Sequence, residues 1–140
     1  MTKSELARAY LEKASKRRRV LDVLKEEQAW SDVVREAQEL VELALKAMLR
    51  DVGVDPPKWH DVGPVLVEQV QRFPEATRAQ LPELVRISHW LRKEREFSFY
   101  GDVDFIPTEQ YSAEDADRAI TDALYAFEAA RQLIEGRHAR

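Results

Sequence analysis

Apolar residues recur at intervals of three and four along most of the chain, the period of helices that bury one face. The pattern is clearest in Val33, Val34, Ala37, Leu40, Val41, Ala44, Leu45 and Met48, which form one stripe opposite Glu36, Glu39 and Glu42. Ser31 reads as the N-cap of this helix, and Asp32 complements the dipole in its first turn. Gly53 and then Pro56–Pro57 close it, so a helix over 31–52 is expected. A first helix over 3–27 runs through Leu6, Tyr10, Ala14, Leu21 and Leu24, with Ser4 as its candidate cap. A shorter helix starts at Gly63–Pro64, where a first-turn proline is tolerated, and ends at Pro74. The next opens at Thr77 and carries Leu81, Leu84, Val85, Ser88 and Leu91 to about Tyr100, before Gly101. Ser112 and Asp115 match a capping box loosely, aspartate standing where glutamate is usual. They open a last helix whose stripe is Ala116, Ile120, Ala123, Phe127, Ala130 and Ile134, ending at Gly136.

No stretch alternates as a strand would. Four glycines and six prolines are also few for an all-β chain of 140 residues. The expected fold is all-α: an up-and-down bundle of four long helices plus one shorter helix, as a single domain over 1–140. Helices of roughly 20–25 residues make rods of about 30–37 Å. Leu43, Ala47 and Leu49 add apolar surface to the second helix outside its main stripe, and that surplus predicts a homodimer.

Composition narrows the chemistry. Without cysteine there are no disulfides, thiolate nucleophiles or thiolate-bound metals. A net charge of −4 argues against broad electrostatic binding to nucleic acid but leaves room for a local basic patch. No apolar run approaches the ~18 residues that span a bilayer, and the N-terminus lacks a secretory pattern. A cytoplasmic protein with no membrane partner is the expectation.

The glycines are isolated, so there is no glycine-rich phosphate loop. A di-iron bundle needs two Glu-x-x-His pairs, and one such spacing exists, Glu135 to His138. No cofactor and no metal site are expected. His60 and His89 read as surface or capping residues. Lys16 to Arg19 fill nearly one helical turn and so point in several directions rather than forming one basic face. Trp30, Trp59 and Trp90 read as core or interface anchors. One segment stays open at this level: "LRKEREFSFYGDV", from Leu91 to Val103. It sets Arg92 and Arg95 just ahead of Phe97, Phe99 and Tyr100. Those rings either close a bundle or help form a phosphate-binding cleft.

Several segments together resemble the HEPN family (higher eukaryotes and prokaryotes nucleotide-binding). They are "ARAYLEKA" in the first helix, "AQELVELALKAMLRDVGVDPPKWHDVGPVL" across the second and third, and "REFSFYGDVDFIPTEQYSAEDADRAITDA" near the end. The resemblance implies a helical bundle, commonly a homodimer. Many bacterial relatives are encoded beside a minimal nucleotidyltransferase in two-component toxin–antitoxin modules, and others are metal-independent ribonucleases. The ribonuclease signature is an arginine, four to six residues, then a histidine. Four residues after Arg95 the next is Tyr100 rather than histidine, the window from Arg92 holds none, and Arg86 reaches His89 too soon. Tyrosine, with a pKa near 10, is a poor general base. The motif is therefore expected to be absent and no residue is assigned to catalysis. The resemblance then implies a nucleotide or RNA phosphate held by Arg92, Lys93, Arg95 and Tyr100. The alternatives are a divergent ribonuclease using Arg95 and Tyr100, and a purely structural helical adaptor.

Overall fold

A computed structural model describes residues 2–58, 61–100 and 111–138, with side chains for all of these except 94–100 and 137–138. Four long helices dominate: α1 (Lys3–Glu26), α2 (Trp30–Asp51), α5 (Leu81–Tyr100) and α6 (Ala113–His138). Between α2 and α5 lie α3 (Gly63–Glu68), a 3-10 turn at Val70–Arg72, and α4 (Glu75–Arg78). Among the described residues there is no strand. The all-α bundle read from the apolar period is the observed fold.

α2 is the axis, packing against α1, α5 and α6. Its apolar positions go beyond one stripe because three neighbours surround it. Ala47 and Leu49 are fully buried within this chain, and Leu43 packs against the same core. The surplus on α2 therefore has an intramolecular explanation and is not itself evidence for a second copy. The inner face of α6 is small, with Ala116, Ala119, Ala123, Ala126 and Ala130 all fully buried.

Helix ends differ from expectation in four places. Thr2, not Ser4, caps α1: its hydroxyl accepts from the Glu5 N–H at 3.1 Å, and Glu5 returns a bond to the Thr2 N–H at 2.9 Å. α2 starts at Trp30 with no side-chain cap, and Ser31 lies buried inside its first turn. The helix expected from Thr77 divides into α4 and α5. Pro82 lacks an N–H and is accommodated only in a first turn, so α5 begins at Leu81. α6 continues through Gly136 to His138, since one glycine weakens a helix without stopping it. The loose capping box at α6 is present: Ser112 Oγ accepts from the Asp115 N–H at 3.2 Å, and Asp115 accepts from the Ser112 N–H at 2.9 Å.

The ends of α1 and α2 share one device. Each closes with a left-handed residue, Gln28 at φ 57° and Gly53 at φ 86°. Ala29 N–H then reaches Leu24 O at 3.0 Å, and Val54 N–H reaches Leu49 O at 2.9 Å. These are Schellman closures. Glycine occupies the second without steric cost, whereas Gln28 bears the Cβ penalty of that conformation.

Candidate functional site

The first place to weigh as a ligand site lies where α5 passes α2. Arg92 is partly buried and Lys93 exposed on consecutive positions of α5. Beside Arg92 lies a crevice bounded by Gln38 and Glu42 of α2, Asp61 ahead of α3, and Ser88 of α5. Asp61 Oδ1 accepts from Ser88 Oγ at 2.8 Å and from the Gly63 N–H at 3.1 Å, which fixes the entry to α3 against α5. Gln38 Nε2 donates to Glu42 at 3.3 Å, and Lys46 pairs with the other Glu42 oxygen at 3.0 Å. Gln38 and Ser88 are buried, so these bonds are what makes their burial tolerable. The crevice has a volume of about 10 Å³. That is room for one water and not for a nucleobase. Any phosphate met by Arg92 and Lys93 must sit on the solvent side of this joint.

The side chains of Arg95 and Tyr100 lie outside the described residues, as do those of Phe97 and Phe99. Gly101, Trp59 and His60 lie outside them altogether. The structure thus sets Arg92 and Lys93 just past the middle of α5 and places a polar cluster beside Arg92. Sequence reasoning did not find that cluster. Its signal was the polar pair Gln38 and Ser88, each interrupting an apolar stripe.

The second place is a seam between α1 and α6. A cavity of about 580 Å³ is lined by Arg8, Leu11, Glu12, Arg18, Phe127 and Arg131, among others. A second, of about 710 Å³, shares Ser15 and Arg18 with it and continues past Arg19 and Asp22 to Ile120 and Leu124. The basic run diverges as a single helical turn must. Arg17 turns to Glu36 of α2 at 2.6 Å, and that hydrogen bond raises its pKa further. Arg18 lies 4.2 Å over the Phe127 ring and donates to Ser15 Oγ at 2.9 Å. Lys16 meets Glu12 at 3.6 Å on the surface, and Arg19 lines the seam.

Charge also ties α6 to its neighbours. Arg86 of α5 reaches Asp122 at 3.3 Å, and Lys25 of α1 reaches Asp117 at 2.7 Å. Arg118 stacks 3.9 Å over Trp90, which gives that half-buried ring a role between helices. His89 beside it is exposed.

One pair does satisfy the ribonuclease spacing, against the expectation that none exists: six residues separate Arg131 from His138. Both belong to α6. Arg131, however, is held by Glu128 and by Glu135, the latter at 2.7 Å, and these bonds raise its pKa. A guanidinium clamped by two carboxylates has little positive field left for phosphate. The His138 side chain lies outside the described residues. Among the described residues, no three His, Asp or Glu side chains gather as metal ligands.

The structure is thus a helical bundle with adjacent cations on α5 and an alanine-faced last helix. The HEPN domain model matches residues 7–136, and the chain belongs to the HEPN family. No curated protein and no solved structure gives a match. Among the described residues, no helix is long and apolar enough to cross a membrane.

Proposed function

We propose that this chain is a non-catalytic, cytoplasmic HEPN protein that holds a nucleotide or RNA phosphate along the C-terminal half of α5, through Arg92, Lys93, Arg95 and Tyr100. In this reading it forms a homodimer and works with a minimal nucleotidyltransferase encoded nearby, as one half of a toxin–antitoxin-like module. The observation that carries the binding role is the family match, joined to the consecutive cations Arg92 and Lys93 on the outer side of a filled polar joint. Dimerisation and the partner rest on kinship alone, since α2 is satisfied within one chain.

Binding is tested by titrating a labelled oligoribonucleotide and ATP into wild type and Arg95→Ala. A charge-assisted hydrogen bond contributes roughly 1.5–3 kcal/mol, so its loss weakens binding about ten- to hundred-fold. Unchanged affinity in Arg95→Ala moves the site elsewhere. The non-catalytic reading has its own check: purified protein is expected to leave RNA intact, with or without divalent metal. Cleavage abolished by Tyr100→Phe would establish the divergent ribonuclease at α5, and cleavage abolished by His138→Ala would locate it on α6. Light scattering that reports only the 16.3 kDa chain would remove the dimer.

A further inference from the structure

The α1/α6 seam has the shape, lining and charge of a docking trough for a helix. Its two cavities follow one another along α1 and meet at Ser15 and Arg18, which line both. From Arg8 to Asp22 that is about 21 Å, close to four helical turns. Its floor is apolar, with Leu11, Phe127 and Ile134 toward one end and Ile120 and Leu124 toward the other. Leu124 is 41% exposed, and Val20 and Val23 follow on α1 at 42% and 52%. The seam is open along its length, unlike the enclosed pockets that take small molecules.

Charge selects the occupant. Five cationic side chains line the seam against three carboxylates, in a chain whose net charge is −4. Arg131 is spent on Glu128 and Glu135, and Arg18 on Phe127 and Ser15. Arg8 and Arg19 have no ion-pair partner among the described residues. They stand eleven positions apart, about three turns, and so lie on one face of α1. A second copy docking by two-fold symmetry would set the same cationic excess against itself.

We propose that the seam receives an amphipathic helix of another protein, apolar on the face it buries. That helix carries carboxylates about eleven residues apart that meet Arg8 and Arg19. The recognition mode is helix-in-groove, with apolar anchors at three- and four-residue spacing. It goes beyond the α5 site and uses none of its residues.

The test uses the full chain and a fluorescein-labelled 18-residue helical peptide as probe, with leucine on one face and flanking glutamates that include a pair eleven positions apart. A control peptide carries lysine in place of every glutamate. Fluorescence anisotropy is expected to show the acidic peptide binding at least ~10-fold more tightly than the control. The double variant Arg8→Glu, Arg19→Glu is expected to reverse that preference. Leu124→Asp is expected to weaken binding by ~10-fold, with the melting temperature unchanged because that side chain is already solvated. Equal binding of the two peptides, or indifference to both variants, overturns the proposal. So does Leu124→Asp turning a dimer into a monomer in light scattering, which would make a second copy the occupant. RNA that displaces the acidic peptide from the seam and is itself lost with Arg19→Glu would assign the trough to nucleic acid instead.

Discussion

α2 and α6 lie side by side and are of similar length, yet they hold their neighbours by different means. α2 buries large side chains on most of its circumference, among them Leu40, Leu45, Met48 and Leu49. α6 presents mostly alanine inward and anchors itself with Phe127 and Ile134 and with ion pairs to α1 and α5. Large apolar side chains supply transfer free energy in proportion to buried area, whereas alanine supplies little but permits close approach. One helix is built for cohesion. The other is thin enough inward to leave its outer edge free to line a seam.

The largest effect that sharpens this contrast is Leu45→Ala. It is expected to lower stability by about 2–5 kcal/mol in denaturant melts, since the side chain is fully buried and its neighbours close it on several sides. A loss under ~1 kcal/mol would mean that the axis is more loosely packed than described. The complementary change is Ala123→Leu on α6. Added volume between α6 and α2 has nowhere to go, so a loss of ~1–3 kcal/mol is expected, where an exposed alanine would tolerate leucine at no cost. If calorimetry finds this substitution neutral, the alanine face is not a close contact.

A smaller effect lies at the joint between α1 and α2. Gln28→Gly relieves a left-handed Cβ while keeping the backbone bonds, so a gain of ~0.5–1 kcal/mol is expected. A loss would show that the glutamine side chain makes a contact worth more than the strain.

The smallest effect is a pH dependence confined to the charged side of the molecule. Arg131 holds the Glu128 carboxyl below its usual range chiefly through a hydrogen bond, and Arg86 does the same for Glu83. A depressed carboxylate contributes stability that is complete above the ordinary range near pH 4.5 and is lost as pH falls through its lowered value. Both groups are substantially solvated, so the loss is expected to stay below ~1 kcal/mol. Hydrogen exchange on acidification is the sharper readout, because amides near Glu128 should lose protection before those of α2. Uniform loss along both helices would dissolve the contrast.

The fold was legible because the three- and four-residue period is written strongly in Val33 to Met48 and again in Ala116 to Ile134. Boundaries were less so. Thr2 and Ser4 are chemically equivalent caps, and only the reciprocal bond from Glu5 distinguishes them. Pro82 marks the break between α4 and α5, but a reading that follows the apolar stripe from Thr77 through Leu81 and Leu84 passes over it. At the candidate site, Arg92 and Lys93 were legible as a cationic pair. The Asp61–Ser88 bond was not, because it joins residues 27 positions apart that no local pattern links. The seam escaped for the same reason. Its free cations, Arg8 and Arg19, both stand on α1, but the apolar floor beneath them is completed by Phe127, Ile120 and Leu124 of α6, from the opposite end of the chain.

The paired closures of α1 and α2 carry a consequence in time rather than in space. Gln28 turns the chain back within a three-residue joint, and at the far end Lys3 Nζ donates to Gly53 O at 3.0 Å. The first two helices are thus a hairpin fastened at both ends, made from contacts within one short stretch of chain. Closing such a loop costs far less entropy than bringing α6 back across the whole molecule. α1 and α2 are expected to pair first on the folding pathway, with α6 docking afterwards onto a preformed axis. Substitutions at Ala14 or Leu40 should then slow folding, whereas substitutions at Ala123 should mainly hasten unfolding, a partition that stopped-flow kinetics reads directly.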